Sequence, residues 1–293
     1  MADRLFDEEF FRKLQLLTLS FRRQQAQHAE GRLTALQRGG RVEFADHRTY
    51  APGDDLRYLD WRLYARTDRL FIKEFRKEEQ PLAVILVDAS ASMGYGTPPK
   101  WDQARRLAAA LAFIALAGEH AVHMATFAGG ATRWGGQINH RSGFASVLSF
   151  LERSEAQGET AAARAARDLA ERQPRPCLVV LLSDLMDPSD PRGALGVLAA
   201  KGYDLTVVHV LSPEELHPPW QGPRILTDAE TRHSRPLVLD SRLLSLYLQE
   251  LNRFREGWRE FCAAHQMLYL PVSTATPFEE LLLHYLRRGG LLK

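Results

Sequence analysis

Residues 82–92 read LAVILVDASAS, six apolar residues that run directly into an aspartate and then two serines at alternate positions. An apolar run without a polar face is the pattern of a strand buried on both sides, as in a parallel sheet covered by helices. In an extended segment, residues i, i+2 and i+4 point to the same side. Asp88, Ser90 and Ser92 are therefore expected to present three oxygens to one point while Ala89 and Ala91 face the protein. In open α/β sheets, ligands bind beyond such strand ends.

The same rhythm continues outward from this stretch. CLVVLLS (177–183) is a second buried run, VHMATF (122–127) and DLTVVHVL (204–211) are further strands, and MLYLPV (267–272) is a late one; ATRW (131–134) is a short partner for the second of these. Helices are expected between them. Pro98 and Pro99 suit a helix start, with Ala104, Leu107, Ala108, Leu111 and Ala115 on its inner face. Segments 144–153, 160–172 and 191–201 read as three more, the last closed by Gly202. Leu244, Tyr247, Leu251, Phe254, Trp258 and Phe261 give a long amphipathic helix, and a closing helix runs from Pro277 to about Arg287. Segment 224–240 breaks the pattern as a hairpin or β-rich insertion, placed near 212–240. The expected fold is α/β, a doubly wound and mostly parallel sheet over 81–293, preceded by an N-terminal helical and charged extension over 1–80. In that extension Phe10, Leu14, Leu17 and Phe21 share one helical face, and the Gly/Arg-rich break EGRLTALQRGG follows.

Composition narrows the function classes. Of 293 residues, 45% are hydrophobic and 25% charged, which is ordinary for a globular chain. Lys plus Arg number 38 against 36 Asp plus Glu, so there is no general pull toward nucleic acid or an anionic membrane. Cys177 and Cys262 have no CxxC spacing and read as core thiols in a reducing compartment. The N-terminus MADRLFDEEFFRK lacks a signal-peptide core, and the longest apolar stretch, 107–118, is too short to span a bilayer. A soluble, cytoplasmic protein is expected.

A second strand end adds to the first, because CLVVLLSDLMD breaks at Asp184. Carboxylates and hydroxyls without His or Cys favour a hard cation, and few protein ligands favour Mg²⁺ over Ca²⁺. Two carboxylates on neighbouring strands repel, and a divalent cation between them keeps both ionised. Each aspartate taken alone reads equally well as a helix cap or an Asx turn.

These residues resemble the metal-ion-dependent adhesion site of the von Willebrand factor A domains, which has D-x-S-x-S after the first strand, a Thr in a later Gly-containing loop and an Asp after the fourth strand. Asp88, Ser90 and Ser92 match the first element, Thr160 in GETAAARAA the second and Asp184 the third. The resemblance implies that Ser90 and Ser92 bind Mg²⁺ or another divalent cation directly, Thr160 directly or through water, and the two aspartates mostly through water. It also implies an open coordination position filled by a Glu or Asp of a partner protein. EFADHRTYAPGDDLRYLDWRLYARTDRLFIKEFRKEE, with SDLMDP, VVHVLSPEEL and LTDAET, is further similar to the bacterial domain of unknown function 58. Its GxGxEF lead-in stands here as GGRVEF, and the upstream membrane helices of many relatives have no counterpart in this sequence. The resemblance implies a non-enzymatic adaptor or co-chaperone working with a MoxR-type AAA+ ATPase or its client.

Residues 41–80 hold nine basic and nine acidic side chains among seven aromatics, so nucleic-acid binding is disfavoured. Arg48, Asp54, Arg57, Asp60, Arg62, Arg66 and Asp68 read as a paired network that docks the block on the sheet domain, since buried charges persist only when paired. The alternative is a partner-binding face near the metal. The rival function is a Mg²⁺-dependent hydrolase or phosphatase with Asp88 as nucleophile. Such enzymes need a second acid two residues later, where Ser90 stands. Neither G-x-S-x-G nor a P-loop is present.

Overall fold

The computed structural model describes residues 6–14, 42–52, 54–77 and 80–287. The chain sorts into one unit of Gln24–Gln80 and another of Met1–Arg23 with Pro81–Lys293. The division expected of the sequence was 1–80 from 81–293. The helical residues 8–14 (α1) belong to the larger unit, where the Phe10 ring lies 5.0 Å from Phe278 and Lys13 pairs with Glu279 at 2.6 Å. Leu17, Phe21, Gly53 and the EGRLTALQRGG segment lie outside the described residues.

In the smaller unit, strands β1 (Val42–Thr49) and β2 (Phe71–Lys77) pair antiparallel, with a bulge between Phe44 and Asp46. Helix α2 (Trp61–Thr67) lies between them in sequence. Asp60 starts it, accepting the N–H groups of Arg62 and Leu63 at 3.0 and 3.1 Å, and also holds His47 at 2.9 Å. Asp68 closes it in the left-handed region at φ 56°. Arg48 grips Asp54 with two hydrogen bonds of 2.7 and 2.5 Å, and Arg57 pairs with Asp55 at 2.6 Å. Arg62 and Arg66 are exposed on α2.

The larger unit is built on β3 (Leu82–Asp88), β4 (Ala121–Ala128), β5 (Ala131–Ile138), β6 (Leu178–Ser183), β7 (Asp204–Leu211), the hairpin β8 (Gly222–Thr227) and β9 (Ser234–Leu239), and β10 (Leu268–Ser273). Its main sheet has the order β10-β7-β6-β3-β4-β5, parallel throughout except for the β4/β5 edge. Helices α3 (Lys100–Ala117), α4 (Phe144–Glu152), α5 (Ala162–Arg172), α6 (Arg192–Ala200), α7 (Pro213–Leu216), α8 (Ser241–Ala264) and α9 (Phe278–Arg287) complete the unit. This is the doubly wound, mostly parallel α/β sheet expected of the sequence.

Each face of the sheet has its own core. Ala83, Ile85 and Val87 pack with α3, α4 and α9 side chains such as Leu111, Leu151 and Leu282. Val84 and Leu86 pack on the other face with Leu169, Leu195 and Trp258 of α5, α6 and α8. Burial on both faces is why β3 carries no alternation in its sequence. Three local expectations are refined. β5 extends over eight residues rather than four, α5 begins at Ala162 and leaves Thr160 in a loop, and the insertion is a short helix followed by a two-stranded hairpin. Among the described residues no helix is long and apolar enough to cross a membrane.

Candidate metal centre

Strand β3 is central, its chain continues to β4 on one side, and β6 flanks it on the other. The loops leaving β3 and β6 therefore diverge, and the crevice between their carboxyl ends is the place where open α/β sheets bind ligands. Asp88 ends β3 and Asp184 follows β6, both fully buried.

The serines reach this crevice by a turn, which corrects the expectation of strand alternation through Ser92. Extended backbone continues only to Ser90 (φ −70°, ψ 161°), and Ala91–Gly94 form a 3-10 turn. The physical reason lies in a neighbouring loop. Ala91 N–H donates to Gly158 O and Gln157 N–H to Ala89 O, each at 2.8 Å, so this segment pairs with the loop before α5 instead of extending the sheet. Gly158 has φ +80°, and a Cβ there would stand 3.3 Å from the Gly129 nitrogen. The same pairing delivers Thr160.

The five oxygen-bearing side chains read from the sequence thus lie in one hydrogen-bonded cluster. Thr160 Oγ1 donates to Asp88 Oδ2 at 2.9 Å, Ser92 Oγ donates to Asp184 Oδ2 at 2.7 Å, and Ser90 Oγ stands 3.0 Å from Ser92 Oγ. Asp88 Oδ1 accepts the Ser90 N–H at 2.9 Å. Sequence reasoning missed four further residues. Ser183 Oγ donates to Asp88 Oδ2 at 2.6 Å. Lys100, almost fully buried at the start of α3, donates to Asp184 Oδ2 at 2.7 Å and to Glu215 Oε1 at 2.6 Å. Glu215 in turn belongs to the capping box of α7, its Oε2 accepting the Ser212 N–H at 2.7 Å. Glu230, from the β8–β9 turn, accepts the Thr160 N–H at 3.1 Å. Only Glu215 carried a readable signal, the S-x-x-E spacing of Ser212–Glu215. A lysine after two prolines gives no cue to burial, since lysine is by default a surface residue.

The electrostatics separate the two aspartates. Burial first, and then the Asp184 charge, push the Asp88 carboxyl up to about 7. Burial acts on Asp184 in the same direction, but the Lys100 ammonium together with the hydrogen bonds from Ser92 and the Met186 N–H outweighs it and holds this carboxyl below its ordinary range. Burial also opposes the Lys100 charge, yet Asp184 and Glu215 together hold its pKa above the ordinary lysine value. Glu230 is raised by burial, with the Thr160 N–H that it accepts working in the opposite direction.

The donor set suits a hard cation. Hydroxyls that give their protons to Asp88 and Asp184 keep their lone pairs for an ion. Adjacent oxygens around Mg²⁺ at about 2.1 Å stand about 3 Å apart, which the Ser90–Ser92 separation of 3.0 Å satisfies. Among the described residues no three His, Cys, Asp or Glu side chains group as a metal cage, so an ion here would depend on the hydroxyls. One oxygen of the cluster, Glu230 Oε1, is buried without a hydrogen-bond partner.

Comparison with known proteins identifies the family. Residues 46–251 match the family model described as protein of unknown function DUF58. Uncharacterized proteins of Mycobacterium tuberculosis and Mycobacterium bovis are each 30% identical over 211 residues, a stretch that covers 69% of this chain and 65% of theirs. The chain thus spans less than two thirds of the length of these relatives. Solved structures with a similar course of the backbone include the conserved hypothetical protein BatB from Bacteroides thetaiotaomicron, with TM-score 0.46, 19% identity, and 71% of this chain and 98% of that chain covered. Another is the SpRpn10 VWA domain, with TM-score 0.44, 11% identity, and 70% and 95% covered. The match over residues 46–251 is well over half of the sequence, and the chain belongs to the DUF58 family.

Proposed function

We propose that this protein is a non-enzymatic interaction module that captures an acidic residue of a partner protein through a Mg²⁺-dependent site. The observation that carries this reading is the direction of two hydrogen bonds, from Thr160 to Asp88 and from Ser92 to Asp184, which leaves each hydroxyl with a lone pair to offer an ion. Ser90, Ser92 and Thr160 are the residues to hold the ion, with Asp88 and Asp184 behind them as proton acceptors. Bound Mg²⁺ supplies an electrophilic position that a carboxylate can fill. Lys100 contributes by neutralising Asp184 from within, so the site has less negative charge of its own to repel an incoming carboxylate. The resemblance read from the sequence makes a MoxR-type AAA+ ATPase or its client the first partner to test, with this chain as adaptor or co-chaperone.

Calorimetry tests the site. Mg²⁺ binding by the unaltered chain should disappear in Asp88→Ala and Asp184→Ala variants whose far-UV circular dichroism is unchanged. Capture of a purified MoxR-type ATPase should be lost in EDTA and regained on adding Mg²⁺. Unchanged metal affinity in both variants, or equal capture with chelator, would overturn the reading.

A further inference from the structure

The β8–β9 hairpin sends one side chain into the oxygen cluster while its strands, apart from their base at Gly222 and Leu239, stay exposed. Ile225 and Val238 are 72% and 63% exposed. The turn is fixed by Asp228, whose carboxylate accepts the N–H groups of Glu230 at 2.9 Å and Thr231 at 2.7 Å, and whose own N–H donates to His233 O at 2.8 Å. Thr227 and Ser234 hydroxyls close it at 2.9 Å. From this frame Glu230 Oε2 accepts the Thr160 N–H at 3.1 Å, across 70 residues of sequence. Its second oxygen, Oε1, is buried and unpaired.

That arrangement is costly unless a cation meets the free oxygen. An exposed hairpin gains no core contacts by tucking in a carboxylate, and an unpaired buried carboxylate oxygen forfeits its hydration. The cluster already holds Asp88, Asp184 and Glu215 against the ammonium of Lys100, so Glu230 adds negative charge where it is in excess. A divalent cation on Ser90, Ser92 and Thr160 resolves both conflicts.

We propose that Glu230 is the acidic ligand of this centre in cis: its free Oε1 takes the position assigned above to a partner's carboxylate, and a partner gains the site only by displacing the hairpin tip. This rests on the metal-bridge reading. The hairpin is then a built-in competitor, and partner affinity depends on how readily residues 228–233 lift away.

Mn²⁺ serves as a paramagnetic probe on the full chain. In the unaltered protein, Mn²⁺ should slow amide hydrogen exchange at residues 228–233. In Glu230→Ala it should bind about tenfold more weakly or less, without that protection, and relax water protons more strongly per bound ion because water replaces the carboxylate. Added acetate should lower this relaxivity in Glu230→Ala at concentrations that leave the unaltered chain unaffected. Glu230→Gln keeps the side chain's size and an acceptor for the Thr160 N–H, and should lose the Mn²⁺-induced protection too, which separates charge from packing. Equal relaxivity and equal exchange in all three proteins, each with Mn²⁺ bound and Asp88→Ala unbound, would leave the metal centre standing and overturn the cis ligand. Absence of Mn²⁺ binding in the unaltered chain would overturn both.

Discussion

Two buried charges govern the chemistry of the centre at the scale of single residues. Lys100 is the counter-ion of both Asp184 and Glu215, at 2.7 and 2.6 Å. Removing one partner of a buried ionic cluster costs about 3–5 kcal/mol, because the remaining charges stay desolvated. Lys100→Met should therefore lower the unfolding free energy in urea by that order; a loss under about 1 kcal/mol would mean the pair is better hydrated than it looks. Asp88 acts in the opposite sense. Its carboxyl rises from 3.8 to about 7 on folding, so between those values the folded chain holds a proton that the unfolded chain has released. Metal-free stability should consequently fall as pH rises through this window. Asp184 titrates outside it, since its lowered pKa gives stability that is lost only on acidification below the ordinary range. Urea melts in EDTA at several pH values should show this fall in the unaltered chain and a flatter profile in Asp88→Asn. An identical slope in the variant would rule out Asp88 as the source.

Among the elements, short turns rather than long helices set the site. The 3-10 turn after β3, the loop before α5 and the capped turn of α7 each bring one part of the cluster, and close approach of backbone holds them. Gly96 is the tightest of these points. It has φ +99°, and a Cβ would meet Ser212 Cβ at 2.5 Å, beside the hydroxyl that caps α7 and so beside Glu215. Gly96→Ala should cost about 2–4 kcal/mol through left-handed strain and overpacking together. Gly94→Ala, with nothing within 4 Å of the new Cβ, should change stability by about 0.5 kcal/mol or less. Thermal unfolding of the two variants checks the contrast; equal shifts would mean the Gly96–Ser212 contact is relieved by movement of α7.

For the molecule as a whole, metal binding should appear as stability. A ligand at 100 times its Kd that binds only the folded state adds about 2.7 kcal/mol, a Tm rise of about 5–10 °C for a unit of this size. Mg²⁺ should produce such a rise, EDTA should reverse it, and Asp88→Ala should show none; a rise of equal size in that variant would place the ion elsewhere. The sheet itself was legible from residue patterns. LAVILV and CLVVLLS are apolar throughout because both sheet faces are covered, and the helix between them shows its inner face at Ala104, Leu107 and Leu111. Asp88, Ser90, Ser92, Thr160 and Asp184 were legible as oxygen donors for a related reason: strand ends and short motifs are local, and their spacing survives in one dimension. The partners of those oxygens were not legible. Lys100 meets Asp184 across 84 residues and Glu215 across 115, and Glu230 meets Thr160 across 70, with no periodicity linking any pair. By itself, then, the sequence determined the layers, the strand ends and the kind of atom gathered there, since burial and backbone period act between near neighbours. Which charge is neutralised and which carboxylate covers the crevice were decided only by tertiary structure, because loops from distant parts of the chain meet there and electrostatic pairing follows distance in space.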